Sequence, residues 1–467
     1  AFIARFRAGT AREFIMLEWL VEAAETKSLR FQMMAQLLYI RYAGELCPFR
    51  FSDEGGGEGV WHVFDDGWRE CGTDLARIRS IVQHDMPDSI EWIRHAATER
   101  NLFPNRGFGD DAKPHHKMEF LEKLAANIEQ AVTVKPIIQE ANMFFHCDVE
   151  WDSKPDVFQC QNVAFCLKTH VFRRVKPSDF CLRRSRVEVP EKWLADPSVM
   201  EREAGPLIER VDEVLWSMCG RCVCDESPCI CLQHPDDFPE VLGDQDHTNY
   251  LFIRALLARM LEGRPLQKCV FFFSKRGRNS KGVLEKLMRG LWGTYMVTAK
   301  GTVFKEDLRN ENEHNSAELH QRGARVAFIN EISRTEAWSN SQYKVRNSSD
   351  PLVIRGANSS KVFECAQTCT FCVGCNNAPP FASTTAGYGS EVNRSLIQAM
   401  NNQYVDPGTV VTEPRTYPKD LLMDEKVEDP MMSLGLLMYL RAVRCLLYTS
   451  DAADEGLGVD LGGRRII

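Results

Sequence analysis

The chain carries no N-terminal secretory segment at Ala1, and no apolar run in it approaches the length of a membrane span. These absences argue against a secreted or membrane-spanning protein and for a soluble intracellular one. Excess positive charge is also missing. A formal net charge of −8 argues against a generally basic protein that coats nucleic acid, although a basic channel is still allowed because local charge decides binding there. There is no initiator methionine, and Ala1 opens in helix-like sequence, so the chain is expected to be truncated at its start. Disulfides lack a context: 17 cysteines are spread over 467 residues without a secretory signal, which favours reduced thiols.

With 44% hydrophobic and 26% charged residues, a chain of 467 can bury a large core and exceeds one usual domain. Its most informative stretch is Cys269 to Gly293, CVFFFSKRGRNSKGVLEKLMRGLWG. Cys269 to Phe273 is a short apolar run suited to a parallel strand buried on both faces. Polarity then changes abruptly through Lys275, Arg276, Gly277, Arg278, Asn279 and Ser280. From Lys281 a helical pattern follows, with Val283, Leu284, Leu287, Met288, Leu291 and Trp292 on one face and Gly293 as C-cap. A strand that aims a loop at a helix N-terminus converges backbone N–H groups and the positive dipole end on one spot, and a lysine there completes a polyphosphate site. Against G-x-x-x-x-G-K-[ST], the chain has Lys275, Ser280, Lys281 and Gly282, so only the lysine matches strictly. Ser280 adds a Cβ where backbone approaches phosphate, and Gly282 lacks the hydroxyl that ligates Mg²⁺. An ordinary basic loop opening a surface helix would read the same way.

Downstream, Arg325 to Glu331 (RVAFINE) is a second apolar strand, and its terminal carboxylate could hold Mg²⁺ or polarise water. Thr368 to Cys375 is a third, running into Asn376 and Pro379; an Asn at a strand tip can hydrogen-bond a γ-phosphate or its attacking water. Arg394 is a candidate arginine finger, although most lone arginines are surface residues.

Taken in order, Lys281, Glu331, Lys344, Asp350, Asn376 and Pro379 resemble the superfamily 3 helicase domain of the primase–helicases of large DNA viruses, phages and plasmids, the poxvirus and giant-virus type. Gly277 to Lys281 track the second half of that family's GxGxNGKS loop. QRGARVAFINE matches its acidic strand preceded by an Arg. Lys344 with Ser348, Ser349 and Asp350 matches its lysine and GGD-like turn, Arg355 the arginine soon after, and Asn376 with Pro379 its N-x-x-P. Upstream, Gln36 to Arg79 resembles the family's helix and W-x-x-x-x-x-x-W hairpin, with Trp61, Phe64 and Trp68 around Asp65, Asp66 and Gly67. Asn162 to Asp179 resembles its short strand, turn and strand followed by Pro-x-Asp.

The resemblance implies an ATP-dependent DNA helicase acting in viral or mobile-element replication. It implies a homo-oligomeric ring, a hexamer, that moves on single-stranded DNA with ATP and Mg²⁺ at subunit interfaces. Lys281 would bind the β- and γ-phosphates, with Lys275, Gly277, Asn279, Ser280 and Gly282 shaping the nucleotide loop. Glu331 would assist Mg²⁺ and water, Asn376 would sense the γ-phosphate and Arg394 would reach the neighbour's nucleotide. The segment between the acidic and Asn strands would form a channel-lining hairpin, with Lys344, Arg346 and Arg355 on the nucleic-acid backbone. The family often carries a primase domain upstream. The departures at Ser280 and Gly282 keep a second reading open, a degenerate relative that binds nucleic acid or partners without hydrolysis.

A compact cluster, CGRCVCDESPCICLQH, offers Cys219, Cys222, Cys229, Cys231 and His234 as zinc ligands. Free thiols in a local insertion are the alternative. Cys365, Cys369, Cys372 and Cys375 read as core residues on or beside a buried strand. At the other end, Cys445 to Glu455 (CLLYTSDAADE) and Val459 to Ile467 (VDLGGRRII) read as the direct translation of a transposase sequencing adapter and its outer extension. Residues 445–467 are therefore expected to be an artefact, with the natural chain continuing past Arg444.

The expected fold class is α/β: a mostly helical α+β N-terminal region, then an AAA-like three-layer P-loop ATPase core with a parallel sheet. The expected boundaries are 1–135 for the helical region with its hairpin, 136–245 for a mixed connecting region, 246–400 for the ATPase core and 401–444 for a truncated C-terminal extension. Helices are expected at Phe14–Ala24, Phe120–Val132, Asn249–Leu261 and Leu434–Val443, and strands at 269–273, 325–330 and 368–375. The expected location is cytoplasm or nucleus, at a viral or mobile-element replication site.

Overall fold

The computed structural model describes residues 15, 16, 19, 31–42, 49–52, 59–71, 75–104, 115–128, 131–147, 149–219, 244–275, 277–305, 320–330, 332, 337–355, 362–377, 379, 381, 389–400, 402–409 and 416–457. The chain divides into two compact units, Ala1–Glu150 with Lys176–Phe180, and Trp151–Val175 with Cys181–Ile467. The expected connecting region is thus split: its first residues belong to the first unit, and from Trp151 onward most of it packs with the residues expected to form the ATPase core.

In the first unit, α1 (Phe31–Tyr42) is followed by an antiparallel meander of β1 (Phe49–Ser52), β2 (Val60–Phe64) and β3 (Trp68–Glu70). Phe64 pairs with Trp68 across a turn in which Asp66 and Gly67 take positive φ, conformations that Asp tolerates and Gly adopts freely. Trp61 and Trp68 are buried and their indole N–H groups are used: Trp61 donates to Asn142 Oδ1 at 2.8 Å and Trp68 to the Pro177 carbonyl at 2.8 Å. Among the described residues three further helices follow, α2 (Ala76–Glu99), α3 (His116–Ile128) and α4 (Ala131–Phe145). Where the sequence pattern suggests one helix over 120–132, there are two. The second runs through Pro136 into the region expected to be mixed, because Ile137, Ile138, Ala141 and Phe145 keep a buried face beyond the proline.

The second unit opens with an antiparallel sheet of β4 (Val157–Gln159), β5 (Val163–Cys166) and β6 (Val171–Arg174), then α5 (Pro197–Cys219) and α6 (Asp244–Arg259). β7 (Cys269–Phe273), α7 (Lys281–Trp292), β8 (Met296–Thr298) and β9 (Val326–Ile329) follow. Next come α8 (Asn340–Arg346), β10 (Leu352–Arg355), β11 (Val362–Cys365), β12 (Thr370–Cys375) and β13 (Ser395–Ala399). β14 (Gln403–Val405), β15 (Thr416–Pro418), α9 (Met423–Glu428) and α10 (Pro430–Leu457) close the unit.

Five of these strands form one all-parallel sheet in the order β13-β7-β12-β9-β8, so the unit is α/β. Alternation along each strand feeds two cores. Val270, Phe272, Val326, Phe328 and Cys372 face one with Leu284, Leu287, Met288, Leu291 and Trp292 of α7 and the buried residues of α5, α6 and α10. Cys269, Phe271, Ala327, Ile329, Phe371 and Val373 face the other with Phe304, Trp338 and Tyr343. Burial on both faces is why these strands read as continuous apolar runs. Helix α7 stops at Gly293, whose φ of +54° and approach to backbone suit only glycine: a Cβ there would lie 2.6 Å from the Arg184 carbonyl oxygen.

Helix α10 includes one 18-residue stretch, Pro430–Leu447, that is long and apolar enough to cross a membrane by length and composition, which sequence inspection passed over. Its residues from Leu434 to Val443 are mostly buried against α5, α6 and α7, the position of a core helix. Burial continues to Arg444, whose Nη1 reaches Glu262 Oε1 at 2.9 Å, while Leu446 and Leu447 face solvent. The expected artefact from Cys445 onward is helical as far as Leu457.

Candidate nucleotide site

In a parallel sheet all strands deliver their carboxyl ends to one edge, where ligands of open α/β sheets bind. Cys375 pairs with Phe273 and Ala399 with Phe273, so the residues after β12, β7 and β13 emerge side by side, with the end of β9 next to β12. The loop after β7 starts by hydrogen-bonding that edge: Ser274 N–H donates to the Cys375 carbonyl at 3.3 Å. It then turns through positive φ at Arg278 (54°) and Ser280 (64°) and enters α7. Ser280 therefore adopts the left-handed conformation that the glycine of the standard motif supplies, at a cost of about 1–2 kcal/mol for a residue with a Cβ. Ser280, the N-cap of α7, makes no side-chain capping bond. The leading N–H groups of a helix have no intrahelical partner and are suited to an anion.

Lys281 is the first residue of α7, and its side chain reaches across the loop to β12. Its Nζ donates to the Cys375 carbonyl at 3.0 Å and to Asn376 Oδ1. Partial burial pushes this ammonium below the usual lysine value, because the charged form loses water, and the nearby Cys375 opposes the effect. A phosphate would favour the charged form.

The loop and the start of α7, from Gly277 to Val283, line a cavity of about 720 Å³ together with Asn376, Lys286 and residues from four other segments: Ser217 and Met218, Tyr404 and Asp406, Pro418 to Asp420, and Met423 and Asp424. Lys275 is exposed and does not line it. A Cβ on Gly282 or Gly277 would meet nothing within 4 Å, so the missing hydroxyl at 282 is a chemical departure and not a steric necessity. Around the rim, Arg278 Nη1 lies 3.2 Å from Asp406 Oδ2, and Lys286 Nζ lies 3.3 Å from Asp424 and 2.9 Å from Glu428. These exposed pairs are weak and easily exchanged.

The remaining expected site residues do not all reach this cavity. Glu331 lies outside the described residues; Asn330 before it is at the same sheet edge and donates to Glu285 Oε1 of α7 at 3.3 Å. Arg394 precedes β13 at the opposite, amino end of the sheet, where its Nη1 donates to the Asn347 carbonyl at 2.7 Å. Lys344 pairs with the buried Glu391 at 3.2 Å, and Arg346 is buried. Arg355 ends β10, which pairs antiparallel with β11 in the stretch of sequence between β9 and β12; residues 356–361 lie outside the described residues. Among the described residues no group of three or more His, Cys, Asp or Glu is arranged to hold a metal ion. Cys219 ends α5, fully buried, and accepts from Gln398 Nε2; Cys222, Cys229, Cys231 and His234 lie outside the described residues. Cys365, Cys369, Cys372 and Cys375 are all buried, and burial raises the thiols of Cys369 and Cys375 to about 11.

Sequence reasoning missed the far walls of the cavity, Ser217, Met218, Tyr404, Asp406, Met423 and Asp424. No motif marks them. Only the fold brings them to Lys281.

Comparison with known proteins bears on the first half of the chain. Residues 35–217 match the family described as D5 N terminal like. The match spans the hairpin of the first unit and ends before β7, so it does not include the loop at Lys281. No curated protein matches the chain. Among solved structures, the A form apo structure of the NrS-1 C terminal region is 11% identical, with 89% of this chain and 69% of that one covered at a TM-score of 0.39. A second apo structure of the NrS-1 C terminal region is 10% identical, with 89% and 70% covered at a TM-score of 0.40. Scores this low carry no argument about a shared fold.

Proposed function

We propose that the second unit is a nucleoside-triphosphate-binding ATPase core of the AAA-like, P-loop kind, and that the protein is an ATP-driven DNA helicase of superfamily 3. It would act as a homo-oligomeric ring in viral or mobile-element replication inside the cell. The observation that carries this reading is the meeting of Lys281 with Asn376 and the end of β12, at the carboxyl edge of a parallel sheet and beneath a loop in left-handed backbone. The match of residues 35–217 to a D5 N terminal like family supports the replication context.

In this reading Lys281 exchanges its contacts with Cys375 and Asn376 for phosphate oxygens and neutralises their charge. Released Asn376 then orients the γ-phosphate or a water beside it. Fit is good for phosphate, given a cationic group, open N–H donors and a cavity. For Mg²⁺ it is incomplete within the chain, since Gly282 brings no hydroxyl and the ion would be held through Glu331 and the nucleotide. The hairpin β10–β11 is the candidate nucleic-acid contact through Arg355. Arg394, at the far edge, would act on a neighbouring subunit's nucleotide. Zinc on the cysteine cluster is a separate proposal that metal analysis of the purified chain addresses.

The missing hydroxyl at Gly282 favours one alternative, a fold that binds nucleotide or nucleic acid without turnover. Single-stranded-DNA-stimulated ATPase activity separates the two. The helicase reading expects activity in the chain ending at Arg444 and its loss in Lys281→Ala. Equal near-zero rates in both would leave the scaffold reading.

A further inference from the structure

The cavity beside Lys281 is larger than a triphosphate requires, and its lining changes character from one end to the other. At about 720 Å³ it falls in the middle of the range for whole small-molecule ligands. The loop end offers Lys281, Arg278 and the first-turn N–H groups of α7. The remaining wall offers Met218, Tyr404 and Met423, with carboxylates at Asp406, Asp420 and Asp424. That is the chemistry of a ligand with an anionic end and an aromatic, hydroxylated end.

The far wall is a built surface. The Ser217 carbonyl accepts from the Tyr404 hydroxyl and from Asn402 Nδ2 at 2.8 Å, which joins the end of α5 to β14. Tyr404 N–H donates to the Arg278 carbonyl at 2.8 Å, fastening β14 to the phosphate loop. Asp420 is tied into its own turn, accepting from the Leu422 N–H at 2.9 Å and from Lys426 Nζ at 2.6 Å. Asp406 and Asp424 hold only exposed cations, so they are the carboxylates able to turn to a ligand hydroxyl.

We propose that Tyr404, Asp406, Met423 and Asp424 form the nucleoside-reading wall of this site. The base lies against Tyr404 and Met423, the ribose hydroxyls face Asp406 and Asp424, and the ligand is a nucleoside triphosphate rather than any polyphosphate. The proposal rests on reading the Lys281 loop as a phosphate site. It assigns function to a region in which the sequence carries no motif.

The test is titration calorimetry of the intact chain with ATP and with inorganic tripolyphosphate, in wild type, Tyr404→Ala, Met423→Gln and Lys281→Ala. Wild type should prefer ATP. Tyr404→Ala and Met423→Gln should each lose roughly tenfold in ATP affinity while tripolyphosphate affinity stays within about twofold. Lys281→Ala should weaken both ligands. Because Tyr404 also holds Ser217, Met423→Gln, at a half-buried residue of the otherwise mostly exposed α9, decides the matter if Tyr404→Ala does not fold. Equal wild-type affinity for the two ligands, or an equal effect or no effect of Met423→Gln on both, overturns the nucleoside wall while leaving the phosphate site standing. Binding of neither ligand to wild type removes the phosphate site and the wall with it.

Discussion

At the amino end of the five-stranded sheet the chain closes on itself, whereas at the carboxyl end it leaves its polar groups beside a cavity. The amino end is dense with internal bonds: Cys269 N–H to the Arg394 carbonyl at 2.8 Å, Thr370 N–H to the Arg325 carbonyl at 2.8 Å, and Leu266 N–H to Thr370 Oγ1 at 3.1 Å. Arg325 is buried there, donating to the Val157 carbonyl with its guanidinium 4.5 Å from the Tyr295 ring centre. At the carboxyl end, Lys281 spans the loop to contacts that a phosphate can replace. The same strands thus serve two purposes. The amino edge uses Arg325 to hold the second unit together, and the carboxyl edge holds Lys281 ready for a ligand.

The comparison predicts opposite consequences for substitutions at the two edges. Arg325→Ala leaves a cavity beside the Tyr295 and Phe158 rings and the Val157 carbonyl without its donor, and should cost about 2–5 kcal/mol of stability, read by denaturant unfolding. The folded fraction should bind ATP as wild type does. A change in affinity without a change in stability would erase the distinction between the edges.

A smaller effect at the same end comes from Asp152, which accepts the N–H groups of Leu182 at 3.0 Å and Arg183 at 2.9 Å. Burial raises its carboxyl to about 6 from the ordinary 3.8, with those N–H groups and Arg183 opposing the shift. The folded state therefore favours the protonated form. The resulting stability is fully present below about pH 4 and is lost as pH rises through about 6. Melting temperatures of Asp152→Asn should lack that decline between pH 4 and 6, and a parallel pH profile in both proteins would contradict the assignment.

The smallest effect belongs to the carboxyl edge. Ser280→Gly should stabilise the protein by about 1 kcal/mol, since glycine takes the φ of +64° without a Cβ penalty. It should also tighten ATP binding by letting phosphate approach the loop. Lower stability in Ser280→Gly would show that the left-handed turn is not adopted.

The strand–loop–helix at 269–293 was legible almost to the residue, because apolar run, basic loop and helical face are each local patterns. Strand β7 spans Cys269–Phe273 as read, and α7 starts at Lys281. The pairing of Lys281 with Asn376 was also foreseeable, since parallel strands in register deliver their ends to one edge. The meander at β4–β6 was only half legible, as a strand, turn and strand at 162–179, because its first strand is three residues long. Tyr404, Met423 and Ser217 could not be read at all. Each is an ordinary residue in its own segment, and the cavity exists only after α5, β14 and α9 have packed around the loop. Arg346 read as a basic contact, yet Asn340–Arg346 folds as a short helix against the second core and buries it.

The central claim is that Lys281 and its loop form a nucleotide phosphate site. Its most direct test is the affinity for ATP of the wild-type chain and of Lys281→Ala, measured calorimetrically with thermal unfolding as a control. Loss of a charge-assisted contact of about 1.5–3 kcal/mol should weaken binding by roughly 10- to 100-fold, with the melting temperature nearly unchanged because Lys281 is only half-buried. Equal ATP affinity in the two proteins, or no binding by either, would contradict the account.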